Sequence, residues 1–174
     1  MWGGLAPGGF VNRRERGFSL IELLIVVAII VIITAVAIPN IRTSRMQAQE
    51  ASALKSLSTL NTACTAYYSQ YGSFPHHQSD LGPANGAAPS KTAADLVDVV
   101  MAPPGGAAAN KAGYTIRYTA GPADESGNIA TYSITGDPTS QNQTGVRRFY
   151  TDQSGTVRFT LDGSPATALS PTLQ

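Results

Sequence analysis

Apolar and polar positions fall into three regimes along the chain. From Leu20 to Ile38 nineteen residues are apolar except for Glu22 and Thr34. A helix of that length rises about 28 Å, close to the roughly 30 Å hydrocarbon core of a bilayer, so the stretch reads as a membrane-spanning helix. A buried helix of a soluble core would carry a polar stripe, and this run has none beyond those two residues. After Pro39 a helical period takes over. Ala51, Leu54, Leu57, Leu60, Cys64, Tyr67 and Tyr71 recur at steps of three and four, with Arg45, Gln49, Ser52, Ser56 and Thr59 on the other side. Pro39 lacks the amide hydrogen and disfavours α geometry at Ile38, so a kink or local melting is expected there before the helix resumes. Gly72 and Pro75 then stop a helix that runs from Phe18 to about Tyr71.

The third regime is strand-like. Residues 72–112 form a Gly-, Pro- and Ala-rich connection, with a short helix expected around Thr92 to Met101 on the strength of Leu96, Val97, Val99 and Val100. A connection of this length is expected to be functional or held by packing elsewhere. Four runs follow, GYTIRYTA from Gly113, IATYSIT from Ile129, VRRFYT from Val146 and TVRFTL from Thr156, each rich in β-branched and aromatic residues. The turn-forming stretches GPADESGN, GDPTSQNQTG and DQSG separate them, which makes an antiparallel meander the economical topology. One face of that sheet covers Leu54, Leu57 and Leu60. The predicted architecture is α+β: a long N-terminal helix, apolar over 18–39 and amphipathic over 40–71, a connecting loop over 72–112, a four-stranded antiparallel sheet over 113–161, and an extended or disordered tail over 162–174.

Composition narrows this picture. With 174 residues, 43% of them hydrophobic, the chain holds one modest domain rather than two large ones. The single cysteine, Cys64, excludes an intramolecular disulfide and lies on the apolar helix face, where a small buried residue is expected rather than a reactive thiol. The formal charge of +1 conceals an asymmetry. Three of the twelve basic residues and one of the eleven acids precede Phe18, leaving nine basic against ten acidic side chains and no general pull toward nucleic acid.

Residues 1–17, MWGGLAPGGFVNRRERG, are glycine-rich and basic at their end, with no apolar core ahead of Gly17, which sets them apart from an ordinary secretory signal. Arg13, Arg14 and Arg16 place this leader in the cytoplasm and the residues after Pro39 outside; Arg42 and Arg45 beyond the span weaken that vote without reversing it. Glu22 is the anomaly. An ionisable group inside a span costs several kcal/mol unless paired, although near an end snorkelling lowers the cost. The preceding arginines offer one local solution, that of a plain signal anchor.

GFSLIE followed by an aliphatic run and Pro39 resembles the N-terminal signature of type IV pilins and of the pseudopilins of type II secretion. That resemblance implies removal of 1–17 by a prepilin peptidase cutting between Gly17 and Phe18, N-methylation of Phe18 by the same enzyme, and a structural rather than catalytic role. It also implies a pilin-like fold and polymerisation with copies of itself at an inner-membrane assembly platform. Glu22 corresponds to the acid that pairs with the Phe18 amine of a neighbouring subunit, and Pro39 to the helix kink. The single-pass precursor would carry its head outside the cytoplasm and end in an extracellular pilus or a periplasmic pseudopilus. Many type IV pilins close a C-terminal loop with a disulfide; the lone cysteine moves the likeness toward disulfide-free pilins or the major pseudopilin.

Catalytic constellations are not legible: HExxH, P-loop, GxSxG and CxxC patterns are all missing. His76 and His77 beside Pro75 read as surface loop residues. Asp124, Glu125, Asp137, Asp152 and Asp162 are all placed in turns, where aspartate bonds its own backbone, with a calcium ion in the C-terminal loops as the sharper alternative. Arg117, Arg147, Arg148 and Arg158 read as solvated strand positions, the alternative being a basic strip for DNA. A membrane-anchored binding or enzymatic domain with an uncleaved anchor is the reading from a different class.

Overall fold

The structure, a computed structural model, describes residues 17–173, apart from the side chains of 36–39. Residues 1–16 of the leader, with Arg13, Arg14 and Arg16, lie outside the described residues. The chain divides into two compact units, 1–39 and 40–174, so the division falls immediately after Pro39. Helix α1 spans Leu20–Tyr71, and its assignment continues through Pro39 without local melting. Five strands follow, β1 Ala109–Lys111, β2 Tyr114–Ala120, β3 Tyr132–Pro138, β4 Arg148–Asp152 and β5 Arg158–Thr160. They pair antiparallel in the order β1-β2-β3-β4-β5, the expected meander. The sheet has one strand more than the four expected, because Ala-Asn-Lys at β1 has neither β-branched nor aromatic residues to announce it.

In the second unit, residues of β2, β3 and β4 alternate toward the helix. Tyr114, Ile116, Tyr118, Tyr132, Ile134 and Phe149 form the core with Leu57, Leu60, Cys64 and Tyr67. The buried helix stripe is rotated slightly from the predicted one. Ala53, Ser56 and Ala63 are inside while Ala51 is exposed, since small residues are what permit close approach to the sheet. One cross-strand row runs Ala109, Ile116, Gly136, Phe149, Phe159 across all five strands. Its central position is glycine because a Cβ there would stand 2.9 Å from Leu57 Cδ1. The gap in the row receives the helix's Leu57, which is wholly buried.

Polar groups hold the helix in register. Asn61 Nδ2 donates to Thr151 Oγ1 at 2.8 Å and its Oδ1 accepts from the Tyr132 hydroxyl at 2.8 Å. One turn before Ala53, at the N-terminal edge of the stripe, Glu50 Oε1 accepts from the amides of Val146 (2.8 Å) and Arg147 (3.1 Å), and Arg147 Nε lies 3.9 Å from its second oxygen. On the outer face Thr59, Thr62, Thr65 and Ser69 turn their hydroxyls onto the carbonyls four residues back, so these side chains need no partner beyond their own helix.

The expected helix at Thr92–Met101 is not formed. Ala94, Asp95, Leu96 and Val97 donate their amides to the carbonyls of Asp80, Gly82 and Leu81, and Asp95 adopts φ 57°, so the segment pairs with its neighbour instead of coiling on itself. Short 3-10 turns occur at Gln78–Leu81 and Pro104–Gly106 instead. The loop is stitched to the sheet by buried Gln78, whose Nε2 donates to Met101 O at 2.5 Å and whose Oε1 accepts from Tyr118 N at 3.0 Å.

The tail is extended and ordered by pairing. Phe159 N donates to Pro171 O at 3.0 Å, Leu173 N to Val157 O at 2.9 Å, and Arg158 Nη1 to Ser170 O at 2.9 Å. Residues 170–173 thus run back along β5 and cover the sheet edge. Cys64 is buried and free, so this clasp rather than a disulfide closes the head.

Candidate processing and assembly segment

Gly17, Phe18 and Ser19 precede the helix in irregular, exposed backbone. A Cβ at Gly17 would have no neighbour within 4 Å, so the chain's own structure places no demand for glycine there. Ser19 begins the helix: its carbonyl accepts the first helical bond from Leu23 N at 3.2 Å, and its amide donates to Glu22 Oε2 at 3.3 Å. This is the acidic half of a capping box, with Ser19 at the cap and Glu22 three residues on, where the helix dipole favours a negative charge. The S-x-x-E spacing is the sequence signal for that local role.

From Leu20 to Ile33 every large apolar side chain is exposed, from 45% at Val26 to 80% at Leu20. Phe18 is 76% exposed. Among the described residues nothing covers this surface, and one helix is long and apolar enough to cross a membrane. The segment therefore joins an exposed peptide bond at Gly17–Phe18, a carboxylate at the positive end of a helix, and an apolar rod that requires a foreign environment.

The other residues singled out from sequence are spread over the head. His76 and His77 are exposed in the connecting loop. Asp124 accepts from the amides of Ser126 and Asn128, and Asp162 from the amide and hydroxyl of Ser164. The backbone bond from Asn128 leads in lowering the Asp124 carboxyl below its ordinary value, and the Ser164 hydroxyl leads for Asp162. Two acids are not in turns as expected: Asp137 lies within β3, 3.6 Å from Arg148 Nε, and Asp152 ends β4. Among the described residues no three of His, Cys, Asp and Glu converge as a metal-holding group. The arginines do not form one strip. Arg147 pairs with Glu50 and lies over the Phe159 ring at 5.5 Å, Arg148 faces Asp137, Arg158 holds the tail, and Arg117 is exposed.

Glu50, Asn61 and Gln78 were not foreseen as positioning residues. Glu50 and Asn61 continue the same three- and four-residue steps as Leu54, Leu57 and Cys64, so polar residues inside an apolar stripe were the available signal.

The site is thus an exposed apolar helix, capped by an acid and followed in the chain by an antiparallel head. Residues 12–38 match the prokaryotic N-terminal methylation motif, the class III signal of type IV pilins and pseudopilins. No curated protein and no solved structure matches the chain. The motif implies processing by prepilin peptidase and assembly into pilus-like polymers, and it fits a single-pass, membrane-anchored precursor.

Proposed function

We propose that this chain is the structural subunit of a type IV pilus or pilus-like filament. It is cut after Gly17, methylated at Phe18 and polymerised through α1, with Glu22 pairing to the Phe18 amine of a neighbouring copy. The observation that carries this reading is the apolar half of α1, whose large side chains from Leu20 to Ile33 are exposed among the described residues and headed by one carboxylate. Lipid covers such a surface in the precursor, and other copies of the same helix cover it in the polymer. Inside that polymer the two opposite charges attract more strongly than in water, and either one alone would be costly to bury.

Mass spectrometry of the mature chain tests the processing step: a methylated Phe18 terminus is expected, and an intact Met1 or a terminus elsewhere refutes it. A second reading, the major pseudopilin of a type II secretion system, draws support from a head closed without a disulfide. Filaments sheared from cells and containing this chain favour the pilus; loss of secretion in a deletion strain, without such filaments, favours the pseudopilus.

A further inference from the structure

Two arginines stand near the start of the second unit. Arg42 and Arg45 are exposed and one helical turn apart on α1, so they share a face. Among the described residues neither forms an ion pair, whereas Arg147 and Arg148 each have a carboxylate within 4 Å. They line a groove of about 560 Å³ together with Met46, Gln49, Asn142 and Gln143, a set with no acid in it. The opposite wall is ordered. Asn142 N donates to Gly145 O at 2.9 Å, Gln143 N to Ser140 O at 3.1 Å, and Gln141 Nε2 to Val146 O at 2.8 Å. Glu50, the nearest acid on the helix, is turned to the amides of Val146 and Arg147.

The position of these arginines in the chain specifies the anion. They follow Ile38, the last residue of the aliphatic run, by four and seven residues. In helical form those lengths cover about 6 and 10 Å. The headgroup layer outside the hydrocarbon core is about 5–7 Å thick on each side, and an arginine side chain reaches back several ångströms from its Cα. Cationic groups beyond the span run against the charge bias that orients it, so topology gives no reason for them. Guanidinium forks match phosphodiester oxygens in pairs, and amide side chains supply further donors to the same oxygens.

We propose that Arg42 and Arg45, with the amides of Gln49, Asn142 and Gln143, bind the headgroup phosphate of an anionic phospholipid on the head side of the membrane. The site holds the precursor at a fixed depth before it enters the polymer. This rests on reading residues 20–38 as the membrane span.

The test uses the full-length chain reconstituted in nanodiscs of phosphatidylcholine alone or mixed with phosphatidylglycerol, followed by delipidation and mass-spectrometric counting of retained lipid. Wild type is expected to retain phosphatidylglycerol in preference to phosphatidylcholine. R42Q/R45Q is expected to bind it about thirtyfold more weakly, the combined effect of two basic groups at a lipid surface. R117Q, an exposed arginine on the sheet, serves as the control and should match wild type. Equal retention by R42Q/R45Q overturns the proposal, as does equal retention of the two lipids. Displacement by excess inorganic phosphate overturns the lipid source in favour of a free-phosphate site. If R42Q/R45Q loses filaments while its phosphatidylglycerol retention is unchanged, the arginines serve a second copy of the chain and the proposal fails. A chain that leaves the discs altogether refutes the membrane reading as well, whereas one that stays without lipid preference refutes the headgroup site alone.

Discussion

Replacing Glu22 separates the two roles its position allows. In the single chain its carboxylate accepts one described hydrogen bond, from Ser19 N at 3.3 Å, at an exposed helix start. Losing a capping interaction of that kind costs about 1 kcal/mol or less and frays the first turn. The head is insulated from the change, because the buried stripe of α1 begins at Ala53 and lies in the other compact unit. In the proposed polymer the expected cost is larger. A Phe18 amine left buried without its counter-charge costs about 3–5 kcal/mol, which lowers subunit association by roughly two to three and a half orders of magnitude. Glu22→Ala removes both the cap and the charge; Glu22→Gln keeps an acceptor for Ser19 N and removes only the charge. Three measurements on the same cells decide the matter: intact mass for leader removal, thermal melting for the head, and filament yield after shearing. Both variants are expected to be processed and to melt like wild type while yielding few filaments. Wild-type yield from Glu22→Gln refutes charge pairing, and wild-type yield from Glu22→Ala refutes any assembly role for the residue. A lowered melting temperature refutes the separation of anchor from head.

Asn61→Ala leaves the fully buried Thr151 hydroxyl and the Tyr132 hydroxyl without partners and should destabilise the head by about 2–4 kcal/mol in denaturant unfolding, against about 1 kcal/mol for Tyr132→Phe. Burial pushes the Cys64 thiol from 9.0 up to about 12, so native chain should resist alkylation near pH 8 and react once unfolded. The same shift sets a pH dependence. The folded state keeps a proton that the unfolded state loses above 9.0, so this contribution is full below that value and is lost between 9.0 and about 12, as alkaline unfolding curves would record. Removing residues 164–174 frees Phe159 N and Arg158 Nη1, and faster amide exchange in β5 together with a lower melting temperature is expected; unchanged exchange would refute the clasp. Gly145→Ala should destabilise the head more than Gly136→Ala, because its new methyl meets the rigid Tyr114 ring whereas the other meets the flexible end of Leu57; the order of melting temperatures checks this.

Legibility in the sequence followed the strength of the periodic signal. The apolar run, the amphipathic half-helix and the four aromatic-rich strands were each announced by residues whose burial is the reason the element exists. What escaped was held by main-chain bonds, which sequence periodicity does not report. The β1 strand exists because Ala109 pairs with Ile116, not because its own residues favour strand. Residues 94–97 gave up a helix for amide bonds to the carbonyls of residues 80–82. The tail, poor in core-forming residues, is ordered by carbonyls that meet Phe159 N and Arg158. At the N-terminus GFSLIE makes the signal segment readable, while the capping bond between Ser19 and Glu22 is a local contact that the apolar run does not announce.

The clasp of residues 170–173 on β5 has a consequence for biogenesis. A head sealed by a disulfide matures only where a thiol oxidant is at hand and stays sealed until a reductant arrives. A head sealed by backbone hydrogen bonds and one arginine closes as fast as it folds, opens and recloses reversibly, and is indifferent to redox conditions. Its supply to an assembly site would therefore be limited by synthesis and processing, with no oxidative step in between.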